Sequence, residues 1–347
     1  MTEAPAGTAR AAGAGRPARP GRAGRGAVAR RVAVAAGWLA AAGMSVAAGA
    51  RLWRSQSEPV LIGLQGTVIW SLLPAYPLAV AALVGRRRAL AAVAGALCVA
   101  HAGWTLAAVG WHGDRPAPAG TVQVRLVTAN VLLDNPSVPA LADDLLAARP
   151  DVLLLQEVTP QILDRLAGTP LWQALPYRVT DPLPGFHGSA ILSRWPVLSG
   201  GAFDVAGFPM TQADIRTPAG PVHVVDVHAQ APLSHEAAAR WSAQFDRLAR
   251  LPLPAGRPLV LAGDFNATLD HRPMQRLLAA GFRDAFAESG TGLGATWPEW
   301  SGPVPPLMRL DHVLVNDPVT VLSIRERTSP GSDHRRLEVE LAVPVAR

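Results

Sequence analysis

With 347 residues the chain has room for roughly two domains. Its formal charge of +6 is unevenly spread: residues 1–88 hold twelve Arg against Glu3 and Glu58, a balance of +10, and the remainder hold twenty Arg against twenty-four acids, a balance of −4. The single Cys98 excludes an intrachain disulfide and a multi-thiolate metal site, and the acidic balance downstream argues against a domain that grips nucleic-acid phosphates.

Residues 1–31 are mostly Ala, Gly, Pro and Arg without apolar periodicity, and read as a disordered basic tail. Apolar stretches follow at 32–50, at 59–85 with Pro74 and Pro77 inside it, and at 89–111. Each is long enough to cross a hydrocarbon core of about 30 Å. Three in succession predict a multi-span anchor over residues 32–112 rather than a cleaved leader. Arg30, Arg31 and the Arg86-Arg87-Arg88 triplet flank one side of the expected crossings, with Arg51, Arg54 and Arg115 on the other. That bias predicts a cytoplasmic N-terminus. Three crossings then place the rest of the chain outside the cytoplasm, on a multi-pass protein of the cell membrane.

After a linker at 113–120, residues 121–347 alternate strand-like and helix-like runs. Strands are predicted at 122–128, 151–156, 190–192, 222–227, 259–262, 310–315 and 337–343. Helices are predicted at 138–148, with Ser137 as N-cap, and at 234–250, with Ser234 as N-cap. Such a pattern packs most simply as sheets between helix layers.

The polar residues at the ends of these strands carry the chemistry. Phosphoester hydrolysis needs a cation on the phosphate oxygens, a prepared water and a group to meet charge on the leaving oxygen. Mg²⁺ suits that work because it takes hard oxygen ligands, and Mn²⁺ can substitute. Glu157 after one strand and Asn130 after another offer oxygens to such an ion. Asp264 and Asn266, two apart in Gly263-Asp264-Phe265-Asn266, share one side if that stretch stays extended. Asp264 then prepares the water and Asn266 holds water or phosphate. In Ser332-Asp333-His334, Asp333 is placed near the metal. An imidazole working near neutral pH is served by a carboxylate on its far nitrogen, and Asp311 is the expected partner of His334. His228, at the end of the 222–227 strand, is a candidate phosphate donor. His312 is expected to point away from the site. Surface or core roles suffice for His187, His223, His235 and His271. The loop with Trp297, Trp300, Pro303, Pro305 and Pro306 suits either a pocket wall or plain loop packing.

Asn130, Gln156-Glu157, the run from Gly188 to Arg194, Asp226-Val227-His228, Gly263-Asp264-Phe265-Asn266, Leu310-Asp311-His312 and Ser332-Asp333-His334 together resemble the ordered motifs of the endonuclease/exonuclease/phosphatase superfamily. The resemblance implies an α/β fold, a four-layered α-β-β-α sandwich catalytic domain over residues 121–347, which the apolar stretches place after three transmembrane helices. It also implies Mg²⁺-dependent hydrolase chemistry, with Glu157 and Asn130 on the metal, His334 and Asp311 facing phosphate, Asp264 on the water, and Asn266 and His228 on phosphate. A three-span anchor carrying an outward catalytic domain is similar to actinobacterial membrane proteins of the teicoplanin-resistance VanJ type. That likeness implies a lipid-linked phosphate of the cell envelope as substrate, undecaprenyl pyrophosphate first. An extracellular endonuclease, a phospholipid phosphodiesterase and an inactive surface binding module remain the alternatives.

Overall fold

The structure is a computed structural model that describes residues 22–53, 55–251, 256–299, 302 and 304–346. Trp300, Pro303 and most of the expected basic tail lie outside the described residues. The helices α1 (Arg22–Leu52), α2 (Pro59–Gly66), α3 (Val68–Ser71), α4 (Ala75–Val84) and α5 (Arg88–Ala108) come first. The part of the tail from Arg22 onward is therefore helical and continues into α1, correcting the expectation of disorder up to residue 31. Windows of mean hydropathy 1.7 in α1 and 1.6 in α5 make both helices apolar and long enough to cross a membrane. At 1.5 Å per residue, the 21 residues of α5 reach about 31 Å.

The middle apolar stretch is not one rod. It breaks after Gly66, with α2 bent 75° from the helical run that follows. Gly37 of α1 lies beside Leu90 of α5, and the Arg51 guanidinium stacks 4.6 Å over the Trp104 ring. These two contacts, one near each end, set α1 and α5 parallel. The 59–84 segment runs back between them, and Ala82 meets Ala41 and Leu90 in one buried cluster. Both C-terminal ends, of α1 and of α5, lie at the downstream domain.

That domain continues as β1 (Gly110–Trp111), β2 (Thr121–Asn130), α6 (Val138–Ala147), β3 (Val152–Gln156), α7 (Pro160–Ala167), α8 (Pro170–Ala174), β4 (Tyr177–Asp181), β5 (Ser189–Ser193), β6 (Val197–Val205), β7 (Phe208–Thr217) and β8 (Gly220–His228). It ends with α9 (His235–Leu248), β9 (Leu259–Asp264), α10 (Arg272–Ala279), β10 (Arg283–Asp284), α11 (Ala285–Ser289), β11 (Thr291–Gly292), β12 (Asp311–Val315), β13 (Thr320–Arg327) and β14 (Arg336–Pro344). Two six-stranded sheets form, in the orders β13-β14-β2-β3-β5-β4 and β10-β12-β9-β8-β7-β6. Each has one parallel pair at its centre, β2–β3 and β8–β9, with antiparallel neighbours on either side.

Strand periodicity sorts the core. Val124, Leu126, Val152 and Leu154 of the first sheet pack with Val224, Val260, Ala262 and Val313 of the second. The alternate residues Val127, Leu153 and Leu155 meet Leu141, Leu145 and Ile162 from α6 and α7. In the second sheet Val225, Val227 and Leu261 meet Trp241 and Phe245 of α9 and Met274 of α10. Both faces of β3 and β9 are buried, which is why they read as continuous apolar runs rather than alternating ones. Polar links also join the sheets: the Gln156 amide donates to Asp226 at 2.5 Å and to Thr128 at 3.0 Å.

Candidate functional site

The two parallel pairs end side by side, and each ends in polar residues. Asn130 closes β2 and Glu157 follows β3, while His228 and Asp264 close β8 and β9 in register with one another. Asp311 opens β12 directly opposite Asp264. His334 precedes β14, whose Leu337 pairs with Thr128. Six residues spread over two hundred positions thus meet because they sit at the same ends of adjacent strands.

Asp264 is the hub. Its Oδ2 accepts from the Asn130 amide nitrogen at 3.2 Å and lies 3.7 Å from both His228 Nε2 and His334 Nε2. The same Asn130 nitrogen donates to Glu157 Oε1 at 3.0 Å, so one amide bridges two carboxylates. His228 Nε2 also faces Glu157, at 3.9 Å, while its Nδ1 donates to the Phe186 carbonyl. His334 Nδ1 donates to Asp311 Oδ2 at 2.8 Å, the pairing expected from the sequence.

Electrostatics follow from this crowding. Burial raises the Asp264 pKa, and Asp311 adds to the rise while His334 and His228 oppose it. Burial disfavours the charge on His334, yet Asp311 and Asp264 beside it push its pKa up to about 10. The imidazolium form is therefore the resting state at neutral pH, with Nδ1 committed to Asp311 and Nε2–H turned toward Asp264.

The backbone is shaped for these positions. Glu157 takes a left-handed φ of 62°, uncommon for a side chain of its size, and its Oε2 accepts from Leu133 N at 3.0 Å. Gly263, at φ 142°, has no room for a side chain: an added Cβ would fall 2.0 Å from the Val227 carbonyl. That glycine lets β9 press against β8 where His228 and Asp264 must meet.

Some expectations need correction. The Gly263-Asp264-Phe265-Asn266 stretch does not stay extended. The strand ends at Asp264, whose Oδ1 accepts from Asn266 N at 2.8 Å, and Asn266 turns to φ 47°. Asn266 then donates its amide to the Ala229 carbonyl, tying the turn to the end of β8. Asn130 turns its nitrogen, not its oxygen, to the carboxylates, because its oxygen accepts from Leu132 N. Asp333, beside His334 in the chain, accepts from the Trp297 indole at 3.1 Å, and its charge adds to those that raise the His334 pKa.

Other contributors escaped sequence reading. Ser332 Oγ donates to the Asn130 carbonyl at 2.7 Å and accepts from His334 N at 3.0 Å, locking the two motifs together. Thr296 Oγ1 accepts from the Leu310 and Asp311 amides. His312 does point away, as expected, with Nδ1 3.0 Å from Asp284 Oδ2 and Nε2 2.8 Å from the Ala267 carbonyl behind the site. Ser332 had a signal in its motif, whereas Thr296 had none.

The donor set suits a hard cation. Asp264 and Asp311 offer carboxylate oxygens within 4.8 Å of one another and of the His334 ring, which in its imidazolium form is a donor to an anion and not a ligand. The Glu157 carboxylate is a further oxygen donor on the far side of Asn130. The sequence profile of the Endonuclease/Exonuclease/phosphatase family matches residues 127–334, a span that takes in every one of these residues. The chain belongs to the endonuclease/exonuclease/phosphatase family. Members of this family are phosphoric ester hydrolases and generally depend on a divalent metal, so the cluster is the place to seek both functions.

Solved structures agree on the fold. An endonuclease/exonuclease/phosphatase from Beutenbergia cavernae has a TM-score of 0.52 at 19% identity, covering 64% of this chain and 72% of that one. One from Bacteroides vulgatus has a TM-score of 0.55 at 19% identity, covering 63% and 98%. The mannosyl-6-phosphatase of Bacteroides thetaiotaomicron has a TM-score of 0.52 at 17% identity, covering 63% and 99%. No curated protein matches the sequence.

Proposed function

We propose that this endonuclease/exonuclease/phosphatase member is a membrane-anchored, extracytoplasmic, Mg²⁺-dependent phosphohydrolase acting on a lipid-linked phosphate of the cell envelope. Undecaprenyl pyrophosphate is the leading substrate, in keeping with the VanJ-type likeness. The observation that carries the reading is the convergence on Asp264 of Asn130, Glu157, His228 and His334, in a domain fixed to the ends of two apolar helices. The three apolar clusters support the four-layered order, with helices outside two facing sheets.

In this reading Glu157 holds the metal through oxygen. Asn130, beside Glu157, would offer its amide oxygen to the same ion. Held by these residues, Mg²⁺ would supply charge neutralisation to the phosphate oxygens and polarise the phosphorus. Asp264, buried and raised in pKa, orients the attacking water and takes its proton. His334, charged and held by Asp311, donates from Nε2 to the phosphate or leaving oxygen. His228 and Asn266 contact the remaining phosphate oxygens. Asp333 acts indirectly, by fixing Trp297 beside the His334 ring at 6.4 Å between centroids.

The test is phosphate release by the full chain in nanodiscs with Mg²⁺, offered undecaprenyl pyrophosphate, phospholipids and DNA side by side. Release from the pyrophosphate alone, lost with EDTA and in Glu157→Ala and His334→Ala, is the expected result. Cleavage of DNA or of a phospholipid head group in place of pyrophosphate would move the substrate to an alternative. Unchanged release by both variants would remove the site.

A further inference from the structure

The short helices between α1 and α4 make contacts that a simple membrane crossing does not require. Ile62 of α2 is 3% exposed and belongs to the same apolar cluster as Trp241, Phe265 and Ala267. Phe265 is the residue between Asp264 and Asn266, and the Trp241 indole donates to its carbonyl at 3.1 Å. A helix from the anchor thus fills part of the core on which the site turn rests.

His271 joins the two parts through both ring nitrogens. Nδ1 accepts from Thr268 N at 2.8 Å, which fixes the proton on Nε2, and Nε2 donates to the Ile62 carbonyl at 3.0 Å. Burial keeps the ring neutral by lowering its pKa. The ring stands edge-on to Trp241, with centroids 5.3 Å apart. Beside it, Arg51 at the end of α1 pairs with Asp270 at 2.6 Å. Gly66, where the middle stretch breaks, allows close approach: a Cβ there would sit 3.1 Å from Met308 Sδ and 3.4 Å from His271 Cε1.

A second link reaches the other flank of the site. Trp70 of α3 donates its indole N–H to the Leu307 carbonyl at 2.7 Å. The adjoining Met308 exchanges backbone hydrogen bonds with Trp297, whose indole holds Asp333 next to His334. Two separate paths therefore run from the broken stretch, one to the turn after Asp264 and one to Asp333 beside His334.

We propose that the α2–α3 segment is part of the catalytic scaffold, and that His271 is the positioning residue through which it holds the turn from Asp264 to Asn266. The proposal rests on the reading of Asp264 and Asn266 as site residues. Its physical sense is economical: the turn carries a left-handed Asn266, and a packed helix on its far side restricts the alternatives open to it.

The experiment uses the full chain in nanodiscs, with His271→Asn and Trp70→Phe. The first keeps an acceptor near Thr268 N but is too short to reach Ile62. The second keeps an aromatic ring but removes the donor to Leu307. Two readouts are taken: amide hydrogen exchange of residues 264–268, which needs neither metal nor substrate, and Mg²⁺-dependent hydrolysis of water-soluble p-nitrophenyl phosphate. For His271→Asn the expectation is exchange faster by about tenfold or more and kcat lower by about tenfold or more at unchanged KM. Restoration toward wild type is expected in His271→Gln, which reaches Ile62 with its amide. Trp70→Phe should lower kcat about threefold or more, and it keeps the test open if His271→Asn does not accumulate. A purely structural role would lower the melting temperature while leaving exchange in 264–268 and kcat per folded molecule within twofold of wild type. That outcome in both variants would overturn the proposal. Altered exchange with no hydrolysis by any form would instead sustain the coupling and count against the phosphohydrolase reading.

Discussion

At the scale of single residues, the buried charges divide into those that serve the site and those that brace it. Asp284 belongs to the second group. Burial alone would raise its pKa, but Arg309 and His312 beside it bring it down to about 2. Its Oδ1, which faces Arg309, also caps α11 by accepting from Ala287 N at 2.8 Å, while Oδ2 faces His312. Because the folded pKa is depressed, the resulting stability is present above the unfolded carboxylate range and is lost as pH falls from about 4 to about 2. Asn caps helices as well as Asp does, so Asp284→Asn isolates the charge. Thermal unfolding of the solubilised chain should show Asp284→Asn less stable by roughly 2 kcal/mol at neutral pH, with a flatter acid limb between pH 4 and 2. An acid limb identical to that of the wild type would contradict the assignment. None of this was legible in the sequence, where Asp284 and Arg309 carry no pattern. By contrast, the His334–Asp311 pair was legible, because a strand-end carboxylate and a distant His in family order have few other uses.

At the scale of elements, legibility tracked burial. The central strands β3 and β9 are buried on both faces and stood out as unbroken apolar runs, while β2, with Gln123 and Arg125, and β8, with His223, stood out by alternation. The strands β6 and β7 did not. β6 carries Gly200 and Gly201 and is largely solvent-facing, and the alternation of β7 rests on small or polar inward residues such as Ala213 and Thr217, which give a weak apolar signal. α9 was visible from its Ser234 cap, which accepts from Ala237 N at 3.1 Å. The short α2 and α3 were hidden inside a stretch whose hydropathy alone suggested a continuous span. Apolar residues that enter a protein core and those that enter a bilayer look alike in sequence. Only the tertiary contacts of Ile62 and Trp70 separate the two cases here. The turn after β9 was misread for a related reason. Asp and Asn hydrogen-bond to nearby backbone and favour turns, and Asp264 does so with Asn266 N instead of letting the strand run on.

At the scale of the whole molecule, the parallel setting of α1 and α5 has a topological consequence. If both cross the bilayer, the broken 59–84 stretch must return the chain between them, and the Arg86–Arg88 turn lies on the same side as the start of α1. The downstream domain then lies on the opposite side. Under the proposed topology, the Arg bias would put the domain outside the cytoplasm. A Cys at Arg87 should resist an impermeant maleimide on intact cells, and one at Arg115 should react, in a Cys98→Ala background. The reverse pattern would invert the topology. Held this way, a domain with an acidic balance faces the outer surface, and its site must draw substrate from that surface or from the medium.

The most direct test of the account is metal-dependent phosphate release by Asp264→Asn, a change that keeps shape and removes one charge from the hub. The account predicts a rate lower by about a thousandfold or more, in a chain that folds as the wild type does because burial already disfavours that charge. A folded Asp264→Asn chain releasing phosphate within tenfold of wild type would contradict the claim that these strand ends form one catalytic site.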